Sequence, residues 1–273
     1  MTSEGNAGLV TRVLEAYRDG VAGVARAEGC SSLAQKIPAP PVLCGVRLEI
    51  SLRTRSGCFS RLRSETEPMG SIYLVTHPEA THVVERLVGG WYDSDLTPRG
   101  VEQAEKIAAL IASRVVTEGT ALFSSDLLRA RRTAEAIASA LGVTPVLDAG
   151  LREQSYGVAE GLPVGATRSV PLPAGGDRLR HHDGVTGSET RLDLARRVYA
   201  ALDRVIDNGA QSSVVVTHGG AATFVIAAWI GMPLESLASV KFMVSPGSVS
   251  LLHQDDLAAD RQIISLNELQ HLR

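Results

Sequence analysis

Cysteine is scarce in this chain: Cys30, Cys44 and Cys58 all fall in the first quarter, and none follows. An odd count without tight spacing makes neither a disulfide framework nor a zinc site, and it suits a reducing compartment. A basic excess is also missing. The net charge is −3 and the pI about 6.2, so nothing marks a nucleic-acid binder, which needs a basic stripe or a strongly basic domain. Small anionic substrates stay open, because local arginines capture them whatever the net charge. The first residues lack a basic segment followed by an apolar run, so no secretory signal is expected and a cytoplasmic location is. From Gln211 to Leu234 there is no Asp, Glu, Lys or Arg, a length able to span a bilayer. That stretch opens with Val214-Val215-Val216 and is broken by His218-Gly219-Gly220. A buried strand, a tight loop and a buried helix therefore account for it better than a membrane span.

What is present supports a substantial core: 273 residues, 44% of them hydrophobic and 21% charged. Residues 1–68 stand apart. Helical periodicity shows only from Val10 to Ala25, and Ile37-Pro38-Ala39-Pro40-Pro41 is followed by no strand–helix alternation. This segment reads as a poorly structured extension, or as sequence upstream of a true start at Met69. From 69 to 273 the pattern becomes βα alternation, which predicts a three-layer α/β/α sandwich around a mostly parallel sheet. Ser71–Val75, Ala121–Ser124, Ser213–Thr217 and Ser248–Leu252 read as strands. Thr97 caps a helix that begins at Pro98 and buries Val101, Ala104, Ala108, Ile111 and Val115. A second helix buries Ala130, Ala134, Ile137, Ala138 and Leu141 and stops at Gly142. A third, about 190–208, uses Ala195, Val198, Tyr199, Leu202, Val205 and Ile206, and a fourth runs from about Ala221 to Ile230. Gly161 to Ser188 is rich in Gly, Pro and Arg and long enough to act as a lid.

Two histidines hold matched positions. His77 follows Ile72-Tyr73-Leu74-Val75-Thr76, and His218 follows Val214-Val215-Val216-Thr217. Ligands bind at the carboxyl ends of strands in open α/β sheets. A lone histidine at a strand end is usually structural; a matched pair shifts that balance. Ser124-Ser125-Asp126-Leu127-Leu128-Arg129 carries a strand end into a helix. Arg131 and Arg132 fit a solvated face there, while Arg129, one turn before Thr133, is placed to point back over the strand ends. Glu153 lies in the loop Leu151-Arg152-Glu153-Gln154-Ser155-Tyr156-Gly157, where a carboxylate is a surface residue by default.

With Trp91 and Asp95-Leu96-Thr97-Pro98-Arg99-Gly100, these blocks resemble in order and spacing the histidine phosphatase (phosphoglycerate mutase-like) superfamily, over about Ser71 to Leu252. The resemblance implies that His77 attacks phosphorus to form a phosphohistidine that water then hydrolyses, splitting one difficult transfer into two easier ones. It implies that Arg129 forks onto the phosphoryl oxygens, that His218 adds a positively charged donor, and that Glu153, buried and with a raised pKa, moves the proton of the leaving oxygen. No metal and no cofactor is implied. His181-His182-Asp183 is a poor metal site, since adjacent histidines point apart.

The chain departs from the family signature Arg-His-Gly by having Thr76-His77-Pro78, and Val83 stands where an asparagine is usual. Thr76 brings no charge to the phosphate, and Pro78 fixes φ where glycine is permissive. Arg178 and Arg180, in the lid beside His181 and His182, are the candidate replacements for the missing cation. The expected activity is hydrolysis of a small phosphomonoester. The alternatives are a phosphoglycerate-type mutase, disfavoured by the lack of longer insertions, and a weak or inactive member that binds a phosphorylated ligand or partner. The expected partner is a small phosphorylated substrate, with no nucleic acid, no membrane, and a homodimer left open.

Overall fold

A computed structural model of the chain describes residues 70–273 with the exception of residue 256. The expectations for residues 1–68, including the helical periodicity from Val10 to Ala25, lie outside the described residues.

The first strand, β1 (Ser71–Thr76), is buried over its last five residues. It lies parallel to β4 (Ser212–Thr217), with Tyr73 opposite Val214 and Thr76 opposite Thr217. On the far side of β4 comes β2 (Thr120–Ser124), then β3 (Val146–Leu147), both parallel. On the other side of β1, β5 (Val249–Gln254) and β6 (Arg261–Glu268) run antiparallel, giving the order β3-β2-β4-β1-β5-β6. The sheet is thus mostly parallel, as the βα alternation predicts. β6 escapes that prediction because it is an edge strand whose residues are all exposed or half-buried, so its sequence Arg-Gln-Ile-Ile-Ser-Leu-Asn-Glu carries no buried run.

Alternation along the strands divides the core between two helical layers. Ile72, Leu74, Phe123 and Val215 pack with α4 (Arg191–Asp207) and α5 (Gly219–Trp229). Tyr73, Val75, Leu122, Val214 and Val216 pack on the other face with α2 (Pro98–Arg114) and α3 (Leu128–Leu141). A short helix α1 (Thr81–Val84) follows β1. Thr97 caps α2 by accepting from the Gly100 N–H at 2.9 Å, and Gly142, at φ 67°, ends α3. The buried stripe of α2 is Gly100, Ala104, Ile107, Ala108 and Ile111; Val101, expected on it, is 48% exposed because it sits one position around the helix. On α3, Ala138 is half-buried while Arg129 and Thr133 take up buried positions. The uncharged stretch 211–234 resolves into β4 and α5, and no helix among the described residues is long and apolar enough to cross a membrane.

Candidate active site

The strand order brings the two histidines together. β1 and β4 are neighbours, and the His77 N–H donates to the Thr217 carbonyl at 3.0 Å. The imidazoles of His77 and His218 therefore meet edge to face with centroids 5.0 Å apart. β2 ends one strand further on, where the Ser125 N–H donates to the Val216 carbonyl at 2.9 Å. Three adjacent carboxyl ends so converge on one point, the position at which open α/β sheets bind ligands.

His77 is fixed in a single tautomer. Its Nδ1 lies 2.8 Å from the Pro78 carbonyl oxygen. A carbonyl only accepts, so Nδ1 holds the proton and Nε2 keeps its lone pair. Proline restrains the peptide that supplies this anchor, a role open to a residue lacking an N–H because the carbonyl alone is used. Into the Nε2 lone pair Arg129 donates from Nε at 3.2 Å. Its other two nitrogens donate to the carbonyls of Tyr92, at 2.8 Å, and Gly90, at 2.7 Å. Arg129 is 1% exposed, and burial lowers its pKa to about 10 against the opposing pull of Glu153, Asp93 and Glu160. α3 reaches this position without a cap of its own: Asp93 Oδ1 accepts from the Leu128 N–H at 2.6 Å instead.

Both histidines are neutral. Burial, followed by the Arg129 cation, takes His77 down to about 3. The same two causes, joined by His77, Arg197 and His82, hold His218 well below the ordinary range. The positively charged donor expected at 218 is thus a neutral imidazole, because a second cation beside buried Arg129 would go unsolvated. His218 Nε2 lies 2.8 Å from Ser125 Oγ, and its buried Nδ1 has no partner among the described residues.

Glu153 is half-buried rather than buried. Its Oε1 accepts from its neighbour Gln154 N–H at 2.8 Å and its Oε2 from Gly220 N–H at 2.8 Å, which ties it to the first turn behind His218. A Cβ at residue 220 would run into Glu153 Oε1, so glycine is what permits this approach. Behind the carboxylate stands Arg197 of α4. It donates to the carbonyls of Gly150, Arg152 and Glu153 at 3.1, 2.6 and 2.6 Å and pairs with Glu189 through two nitrogens at 2.8 Å. Trp91 Nε1 donates to the same Glu153 carbonyl at 2.7 Å, and Arg152, held bidentate by Asp126, covers the Trp91 ring at 4.8 Å. Burial, then Glu153, Asp183 and Glu160, push the hydroxyl of the adjoining Tyr156 up to about 12.

Three expected site residues are not brought to this point. The Thr76 hydroxyl donates to the Ser245 carbonyl at 2.5 Å and accepts from the Ser248 N–H at 3.1 Å; its one proton is already committed to the loop before β5. Arg180 is exposed and paired with Asp177 at 3.0 Å. Arg178 is felt as a charge by Arg191 and is not among the charges acting on either histidine. His181, His182 and Asp183 brace their own loop, Asp183 Oδ1 accepting from the Val185 N–H and Ser188 Oγ. Among the described residues no group of three or more His, Cys, Asp or Glu is arranged to hold a metal ion.

Two residues that the motifs do not single out belong to the site. His82 stands with its ring centroid 6.3 Å from that of His77, its Nδ1 2.6 Å from Ser94 Oγ. Burial and then Arg129 lower its pKa to about 4. Arg197 is the other; its signal in the sequence is an arginine beside the apolar stripe of α4, which solvent exposure explains equally well.

The site is thus a pair of histidines at neighbouring strand ends of an α/β sheet, backed by one buried arginine and a tethered glutamate. The chain belongs to the histidine phosphatase superfamily (branch 1), whose model matches residues 72–266. It is 32% identical over 218 residues to a Yersinia pestis protein named "Probable phosphoglycerate mutase GpmB", covering 74% of this chain and all of that one. Solved structures share the fold. An alpha-ribazole phosphatase from Shigella flexneri superposes with a TM-score of 0.60 at 24% identity, covering 72% of this chain and 96% of its own. A mycobacterial glucosyl-3-phosphoglycerate phosphatase gives 0.58 at 22%, covering 73% and 99%.

Proposed function

We propose that the protein hydrolyses a small phosphomonoester through a phosphohistidine on His77. The observation that carries this reading is the tautomer: the Pro78 carbonyl holds the Nδ1 proton, so Nε2 offers its lone pair beside the Arg129 guanidinium. Nε2 attacks phosphorus as the bond to the leaving oxygen breaks, and Glu153 protonates that oxygen. Water then attacks the phosphohistidine, Glu153 takes its proton, and His77 returns to its starting state. Arg129 supplies charge to the equatorial oxygens, and His218 donates to one of them from Nδ1, a role supported by that atom's lack of a partner among the described residues. Arg178 and Arg180 enter this reading only through movement of the 161–188 segment that releases Arg180 from Asp177. The proposed setting is cytoplasmic.

The test is phosphate release from a panel of phosphomonoesters, with trapping of an acid-labile, base-stable adduct. His77→Ala should abolish both. An active His77→Ala protein, or an adduct mapped to His82, overturns the assignment. The name of the Yersinia relative supports a second reading, in which the phosphohistidine returns its phosphoryl group to a sugar acid rather than to water; product analysis in the same assay separates the two. A third reading, a weak or inactive binder, draws on the Arg129 nitrogens already bonded to Tyr92 and Gly90. Phosphate binding without turnover is its signature.

A further inference from the structure

Among the described residues, one cavity beside the proposed centre takes no part in the chemistry above. It has a volume of about 520 Å3 and is walled chiefly by His82, Val83, Leu87, Val88, Tyr156 and Val164, a size typical of small-molecule sites. Its walls adjoin three parts of the proposed centre. His82 stands beside His77. Tyr156 belongs to the same loop as Glu153, three residues further on. Gly89, also in the lining, precedes the Gly90 whose carbonyl binds Arg129 at 2.7 Å.

The walls are mostly apolar, with Arg86 the one cation among the lining residues. The segment 86–88 pairs antiparallel with 161–164, through Val88 N–H to the Leu162 carbonyl, Gly161 N–H to the Val88 carbonyl and Val164 N–H to the Arg86 carbonyl, each at 2.9 Å. The turn before this ladder puts Arg86 at φ 56°, a conformation that a non-glycine residue adopts only when its surroundings impose it. A Cβ at Gly89 would come within 2.7 Å of His82 Nε2, so the chain lies flat on that imidazole. Yet the side chains this scaffold presents are hydrophobic and open: Val83 is 54% exposed and Val164 70%. Exposed apolar side chains gathered around a cavity beside a reactive centre mark a surface that a ligand covers.

We propose that this cavity receives the organic part of the substrate, and that this part is apolar: an aryl or extended alkyl phosphomonoester, in preference to a sugar phosphate or a phosphorylated acid. The proposal rests on the hydrolase reading above for its phosphate end. Sugar hydroxyls would lie against valine and leucine side chains, and the exposed Arg86 would offer a carboxylate only a solvent-screened pair.

Binding and turnover are measured separately on the full chain. The probes are 1-naphthylmethylphosphonate and methylphosphonate, which share a head group and cannot be hydrolysed. Wild type should bind the naphthyl compound at least about tenfold more tightly, the effect of covering one aromatic group. For turnover, kcat/KM on 1-naphthyl phosphate should exceed that on glycerol 2-phosphate by a similar factor. Val164→Asn should shrink that ratio about fivefold without lowering the melting temperature; Leu87→Asn is the second variant if the first is insoluble. Equal binding of both phosphonates, or a ratio unmoved by both variants, overturns the cavity assignment. Tight naphthyl binding with no turnover of any ester upholds the cavity and removes the hydrolase reading instead.

Discussion

Arg129 Nε donates to His77 Nε2 at 3.2 Å, so a cation buried to 1% exposure rests on the one nitrogen of the pair whose lone pair is available. Under the proposed mechanism an incoming phosphoryl group takes this guanidinium's Nε–H from the histidine. The exchange is easy to make in place, because the remaining nitrogens stay anchored on Tyr92 and Gly90 and hold the plane of the fork.

Arg129→Lys tests that anchoring. An ammonium keeps the charge but cannot serve His77, Tyr92 and Gly90 together in one plane. We expect kcat/KM to fall about a hundredfold, equivalent to roughly 3 kcal/mol for a charge-assisted contact. Losing donors to two carbonyls should also lower the melting temperature by several degrees, as about 2 kcal/mol would in a domain of this size. Steady-state kinetics and a thermal melt check both.

Acid should destabilise the fold through its neutral histidines. His77 and His218 have folded pKa values below the unfolded value of 6.5, so the unfolded chain binds more protons and stability rises with pH up to about that point. Each such group removes about 1.4 kcal/mol per pH unit as pH falls below 6.5 and above its folded pKa. Melting temperatures measured from pH 7.5 to 5 should therefore drop on the acid side. His77→Gln should flatten the curve.

Two arginines make opposite predictions. Arg197 holds the backbone that carries Glu153, so Arg197→Gln should lower kcat by about tenfold or more while KM moves less than about threefold, the pattern of a misplaced proton-transfer group. Arg180 is tied to Asp177 at the surface. Arg180→Ala should change kcat/KM by less than about threefold, since exposed pairs contribute little. A hundredfold loss at Arg180 would show that the 161–188 segment closes over the substrate.

Gly220→Ala pushes a methyl group into Glu153 Oε1. We expect kcat to fall by at least about tenfold as Glu153 is displaced from its Gly220 N–H, with the phosphohistidine accumulating if its hydrolysis slows most. Rapid-quench measurement of the adduct follows this directly.

The parallel strands and the helices behind them were legible because each keeps a clean period, and the strand-end histidines were legible because a buried run stops at each. Arg129's approach to His77 is legible in its place one turn before Thr133. The lid arginines illustrate the limit. They were chosen for carrying charge, but reaching a site depends on tertiary partners, and Asp177 claims Arg180. Thr76 fails for the same reason, its hydroxyl taken by Ser245 and Ser248. Arg197 and His82 were hidden because each acts through a contact distant in sequence that no periodicity encodes. β6 was missed because an edge strand carries too few buried positions to read.

The position of β4 between β2 and β1 also sets a timetable. Of the two strands that present the histidine pair, one comes first in the described domain and the other is the fourth of six in the chain, after four helices. Contacts of that separation close late, after local helices have formed. A nascent or nicked chain that has made β1, α2, β2 and α3 already carries His77 and Arg129, but nothing holds His77 against its neighbour. Phosphoryl chemistry should therefore switch on abruptly with insertion of the central strand, making activity itself a kinetic probe of that last docking step in refolding experiments.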